Sequence, residues 1–203
     1  LRNLKNVTLI TNTSLLSIES TVRLSVKLSR LGLKRIQIRE KNLNRKDLIY
    51  FIKKMKDSVD ESCEIFLNGN LDLAIENNIS GVHFPESTKI TKDIVKERKI
   101  LFGKSLHQNS QDFNLYNIFD YFHVGPVFPT LTHPGAATIY NEKIISYTKN
   151  LDNIILVGGI NIKNAYRLLK YNFDGIAVMR ELLLSKNPNE TFLNLEEIIN
   201  EKK

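Results

Sequence analysis

The sequence predicts an α/β protein folded as a (β/α)8 TIM barrel, on three observations. Short β-branched runs alternate with amphipathic stretches along the 203 residues. That alternation makes a parallel sheet with right-handed crossovers. Eight such strand–helix units can be counted, the number that closes a barrel. Polar groups follow nearly every run, and a barrel carries its site at the carboxyl ends of its strands. One barrel domain is expected over 1–203, at the small end for this fold. The alternative is an open doubly wound sheet. No Gly-x-Gly-x-x-Gly follows the first run, which weighs against a dinucleotide-binding version.

Strands are expected at Val7–Ile10, Arg35–Arg39, Glu64–Leu67, Gly81–Phe84, Ile100–Lys104, Tyr121–Val124, Ile154–Val157 and Gly175–Val178. Helices are expected at Ser20–Leu31, Arg45–Val59, Leu71–Asn77, Thr91–Glu97, Ser110–Asn117, Asn141–Asn150, Ile162–Lys170 and Thr191–Glu201. In the first helix Val22, Val26, Leu28 and Leu31 recur at helical spacing, and Gly32 supplies the stop. Gly81 and Gly103 sit at strand edges, where turns are tight.

Composition narrows the functional classes. The chain is 42% apolar and 25% charged, as soluble globular proteins are. It has no membrane-length apolar run and no signal-peptide pattern at Leu1. The single cysteine, Cys63, cannot make an internal disulfide, and a cytoplasmic location is expected. Cys63 reads as a small buried hydrophobe. The net charge of +7 comes from lysines spread along helices among Asp and Glu. Without a clustered aromatic platform this is not a nucleic-acid surface. It attracts anionic small molecules.

Two loops carry the chemistry. Gly125 to Gly135 follows the sixth strand and packs Thr130, Thr132 and His133 among prolines and glycines. Such a loop is stiff and lies on the surface. Ile154–Val157 runs into Gly158-Gly159, and a helix opens at Asn161. A strand, two glycines and a helix start form a phosphate cradle, where backbone N–H groups meet the positive end of the dipole. The other strand ends add Gln37, Arg39, Glu40, Lys41, Asn68, Glu86, Ser105, His107, Met179 and Arg180. His83 reads as a core histidine and His123 as packing.

These motifs resemble the thiamin phosphate synthase/TenI family of small barrels. The resemblance runs nearly end to end, through Gln37-Ile38-Arg39-Glu40-Lys41, Leu67-Asn68-Gly69, Gly81-Val82-His83-Phe84, Ser105-Leu106-His107, Gly125 to Thr132, Gly158-Gly159-Ile160 and Gly175 to Met179. In the synthase it implies that a pyrimidine diphosphate ionises and a thiazole nitrogen captures the cation, with magnesium holding the diphosphate. In the TenI branch it implies an aromatising tautomerisation of thiazole carboxylate phosphate without metal. Gln37, Arg39, Lys41, Asn68 and Ser105 match the residues that meet pyrimidine and diphosphate. Thr130, Thr132, Gly158, Gly159, Val178 and Met179 match the thiazole phosphate pocket, and Arg180 stands where synthases carry a serine.

The departures weigh against efficient synthase chemistry. The strand-three carboxylate is replaced by Gly69, and the strand-four stretch reads Pro85-Glu86-Ser87-Thr88 without its aspartate. Magnesium needs hard oxygen ligands, so no metal site and no cofactor are expected; Mg2+ is needed only if synthase activity is retained. His133 replaces the synthase lysine, a weaker diphosphate clamp and a better proton shuttle. Pro126 stands where TenI carries its tautomerase histidine, so His133 and His107 are the candidate acid–base groups. The combination is closest to a TenI-like branch often fused behind a Nudix hydrolase domain. No Nudix box is present, so the chain is expected to be a stand-alone version or an excised domain, with any Nudix domain acting in cis or in trans. The expected ligands are thiazole phosphate and, for a synthase, pyrimidine diphosphate. A homodimer is compatible; a nucleic acid or membrane partner is not expected. Three readings stay open: a thiazole tautomerase, a thiamin phosphate synthase, and a binding or regulatory protein that keeps the pocket without catalysis.

Overall fold

The computed structural model describes residues 6–89, 99–107, 117–131, 135, 137–139 and 142–201. Eight strands close into a barrel in sequence order, every neighbouring pair parallel. They are β1 Val7–Ile10, β2 Arg35–Ile38, β3 Glu64–Asn68, β4 Gly81–Phe84, β5 Leu101–Leu106, β6 Tyr121–Val124, β7 Ile154–Val157 and β8 Gly175–Val178. The described helices are α1 Ile18–Arg30, α2 Arg45–Ser58, α3 Leu71–Glu76, α4 Glu142–Asn150, α5 Ile162–Ala165, α6 Arg180–Leu183 and α7 Pro188–Asn200. The helix expected at Thr91–Glu97 lies outside the described residues, as does Ser110–Asn117 apart from Asn117. No helix among the described residues is long and apolar enough to cross a membrane.

Strand limits follow from who satisfies the backbone. β2 stops at Ile38 because the Arg39 N–H donates to the Thr11 hydroxyl, 3.2 Å away, instead of joining the ladder. β5 runs two residues past Lys104 because Ser105 and Leu106 pair with His123 and Val124.

The α1 face differs from the expected one. Thr21, Leu24, Ser25, Leu28 and Ser29 are buried, while Val22 and Val26 are half-buried and Leu31 is 40% exposed. The buried stripe has the i, i+3, i+4, i+7, i+8 spacing, but it includes small hydroxyl residues that a purely apolar pattern overlooks. α7 starts three residues earlier than expected, with Pro188 in the first turn, where a missing N–H leaves no bond unmade. α5 tightens after Ala165 into a 3-10 turn, Tyr166–Leu168. The single-turn helix α6 was not anticipated, because four residues are too few to show periodicity.

Alternation along the strands makes two compartments. Outward side chains such as Leu9, Ile36, Leu67, Val82, Phe102, Leu156 and Ile176 pack against the helices in one large apolar cluster. Inward side chains Ile10, Phe66, Tyr121, Ile155 and Ala177 form a second cluster inside the barrel. Lys104 breaks the outward pattern: its buried ammonium donates to the Pro85 and Thr88 carbonyls at 3.0 and 2.7 Å. It thereby pins the turn after β4.

The barrel interior is sealed around Tyr121. Its ring meets Phe66 edge-on at 5.2 Å, and the Arg35 guanidinium lies 4.6 Å from its centroid while bonding Glu64 at 2.8 Å. Gly103 makes room: a Cβ there would fall on the Tyr121 ring. We expect Gly103→Ala to lower stability by about 1–3 kcal/mol, as overpacked cores do. This should appear as a lower urea midpoint with an unchanged slope.

Candidate functional site

A cavity of about 480 Å³ opens at the carboxyl ends of the strands, the end at which barrels carry their sites. Gln37, Arg39, Lys41, Asn68, Ser105, His107, Thr130, Gly158, Gly159, Val178, Met179 and Arg180 all line it. Thr132 and His133 lie outside the described residues.

One side is cationic and is set by the chain after β2. Glu40 accepts from the hydroxyls of Thr11 and Thr13 and from the Thr13 N–H, so its carboxylate is turned to the β1 loop. Arg39 and Lys41, on either side of it, line the cavity. Burial lowers the Arg39 pKa and neighbouring Glu40 raises it. The guanidinium stays charged under any working condition.

The opposite side is built of backbone. Gly158 and Gly159 have φ of +99° and +67°, a conformation side chains rarely adopt. A Cβ on Gly158 would lie 2.5 Å from Pro126 Cα, and one on Gly159 would lie 2.7 Å from the Phe128 carbonyl oxygen. The loop after β6 therefore rests directly on this turn, tied by the Phe128 N–H to the Gly158 carbonyl at 3.0 Å. Asn161 caps α5 through a reciprocal capping box with Asn164, whose amide also donates to the Gly159 carbonyl at 2.9 Å. After β8, α6 opens at Met179 with no side-chain cap. Its first N–H groups need other acceptors. Arg180 lines the same corner, and its Nε is buried without a partner. A glycine turn after β7 and a short helix after β8 are the usual phosphate corner of a barrel.

The floor is polar and uncharged. Gln37 donates to the Asn68 Oδ1 at 3.0 Å, while its own Oε1 is buried and unpaired. His83 bonds the Ser105 hydroxyl through Nε2 at 2.8 Å and the Tyr121 hydroxyl through Nδ1 at 3.1 Å. Burial, with Arg35 as second cause, pulls its pKa down to about 3. His123 stacks on His83 at 4.2 Å, and burial holds it well below its ordinary value too. Both histidines are buried, as the core and packing readings expect, and both also line the cavity. The parity Tyr121, His123, Gly125 along β6 is the sequence signal that turns His123 inward.

His107 is held differently. Its Nδ1 is 2.6 Å from the Gly125 carbonyl, and the Tyr147 hydroxyl donates to the His107 carbonyl at 2.6 Å. A carbonyl only accepts, so Nδ1 is the protonated nitrogen in the neutral tautomer.

No aspartate is among the described residues that line the cavity. Among the described residues no group of three or more His, Cys, Asp or Glu could hold a metal ion. Glu86 lines the cavity, but Glu181 accepts from the Ile162 N–H and Asn68 from Gln37. Magnesium takes one or two carboxylates together with substrate phosphate, and Glu86 and Glu181 are the carboxylates of the described lining.

Fold and cavity define a small (β/α)8-barrel protein with Arg39, Lys41 and Arg180 lining a cavity at the carboxyl ends of its strands. A family model described as thiamine monophosphate synthase matches residues 7–182, and the chain belongs to that family. It is 27% identical over 169 residues to the thiamine-phosphate synthase of Methanobrevibacter smithii, covering 81% of each chain. It is 30% identical over 173 residues to that of Clostridium tetani, covering 82% of each. The solved thiamine phosphate pyrophosphorylase from Pyrococcus furiosus shares the fold, with a TM-score of 0.85 at 24% identity over 99% of this chain and 98% of that one.

The neutral floor makes acid stability a test. Above the ordinary value of 6.5, His83 is uncharged in the folded and unfolded chain alike. Below it the unfolded chain takes a proton that the folded ring refuses until about pH 3, so stability falls as pH falls across that window. His83→Gln lacks this group. Its stability deficit against the native chain should narrow by on the order of 1–2 kcal/mol as pH drops by ~1.5 units below the histidine range. Urea titrations at stepped pH measure it.

Proposed function

We propose that this chain acts on a phosphorylated thiazole in thiamin biosynthesis, and that its reaction is a metal-independent tautomerisation. The observation that carries the reading is His107, whose Nδ1 proton is committed to Gly125 and whose Nε2 is the basic nitrogen on a residue lining the cavity. An aromatising tautomerisation removes a proton from a ring carbon and delivers one to an exocyclic carbon, with no net redox change. A neutral imidazole suits both transfers near neutral pH. The phosphate would lie at Gly158, Gly159, Thr130 and Arg180, with Met179 and Val178 beside it. Arg39 and Lys41 would balance the remaining charge across the cavity. His133 is the second candidate acid–base group of the reading.

A second reading, pyrimidine transfer onto the thiazole nitrogen, is favoured by the name that the relatives carry. It calls for a metal to hold diphosphate, and the carboxylates for one are few among the described residues.

With thiazole carboxylate phosphate as substrate, His107→Ala should lower kcat by about 10²-fold or more with little change in KM, the usual loss of a general base. His133→Ala is the companion variant. Full tautomerase activity in both variants would remove the acid–base assignment.

A further inference from the structure

The cavity floor holds a polar atom that the protein leaves unsatisfied. His123 is 3% exposed and lines the cavity, and its Nε2 is buried with no hydrogen-bond partner. Buried polar atoms are nearly always paired, so an orphan at a cavity points to something that binds there. Its neighbours are already engaged. His83, stacked on it at 4.2 Å, uses both ring nitrogens, on Ser105 and Tyr121. Ser105 is the cross-strand partner of His123, and its hydroxyl bonds His83.

Charge and length narrow the occupant. Burial keeps both rings uncharged, and Arg35, itself paired with Glu64, acts in the same direction. The floor itself stays uncharged, while the Arg39 and Lys41 cations line the same cavity, a setting that accepts an anion. His123 pairs in register with Ile155, three residues before Gly158. Floor and glycine turn are thus about 10 Å apart along the strand. A five-membered ring bearing a carboxylate on one side and an ethyl phosphate on the other has that length.

We propose that His123 is a specificity-determining residue, its Nε2–H donating to a carboxylate at the buried end of a heterocyclic phosphate held by its other end at Gly158–Gly159. The proposal rests on the reading that this chain binds thiazole phosphates. It goes further by assigning the recognition of the carboxylate to one neutral side chain.

Calorimetric titration of the whole chain with two probes tests it, thiazole carboxylate phosphate and thiazole phosphate lacking the carboxylate. The native chain should bind the carboxylate form about tenfold more tightly, as one buried charged hydrogen bond requires. His123→Phe keeps a ring and removes the nitrogen. It should erase that preference and leave affinity for the second probe within about twofold, while His123→Gln restores part of the preference. If native chain and His123→Phe bind both probes alike, the Nε2 partner is water and the proposal is overturned while the functional reading stands. If the native chain binds neither probe, both fall. Should His123→Phe not fold, imidazole ¹⁵N spectra of the native chain decide. Saturating carboxylate probe should move the His123 Nε2 resonance, and an unmoved resonance overturns the proposal.

Discussion

Tyr121 stands at the centre of the barrel, and the depth of the cavity depends on it. Its ring occupies the space that Gly103 leaves and packs edge-on to Phe66. The Arg35 guanidinium lies over it from the amino-terminal side, where Glu64 neutralises that cation. The hydroxyl reaches the other way, to His83, which in turn holds Ser105. One aromatic residue thus closes the lower half of the barrel and starts a hydrogen-bonded column that ends at the ligand cavity. Interiors pack too densely for such a column to shift without disturbing its neighbours.

The eight-strand pattern was legible in the sequence because β-branched runs and the inward–outward alternation agree. Val7–Ile10, Gly81–Phe84, Tyr121–Val124, Ile154–Val157 and Gly175–Val178 have the expected limits. Where side chains compete with the ladder, the limits moved, as at Arg39 with Thr11. The cavity wall was legible too, since polar residues at strand ends converge in a barrel whatever their partners. The floor was not: an imidazole in an apolar run looks like packing until the strand's parity turns it inward. Nor were the capping box at Asn161 and the uncapped turn at Met179 read, because each depends on geometry between residues a few positions apart.

The charge arrangement separates the jobs of the two sides. Cations and an uncapped helix start surround the space where a phosphate would lie, while the floor is kept neutral by burial. A neutral floor in a positive field discriminates between polar groups without trapping a counter-charge. The same burial leaves His83 and His123 poor bases, so the proposed proton transfer is assigned to the more exposed His107, with its tautomer fixed by Gly125.

Metal independence is the central claim, and a product assay tests it most directly. The purified chain would be given thiazole carboxylate phosphate and hydroxymethylpyrimidine diphosphate, once with magnesium and once with EDTA. Products would be read by chromatography and by oxidation to fluorescent thiochrome. Conversion of the thiazole to its aromatic isomer at equal rates in both conditions is the predicted result. Thiamin phosphate formed only with magnesium, with no isomer conversion in EDTA, would contradict the account.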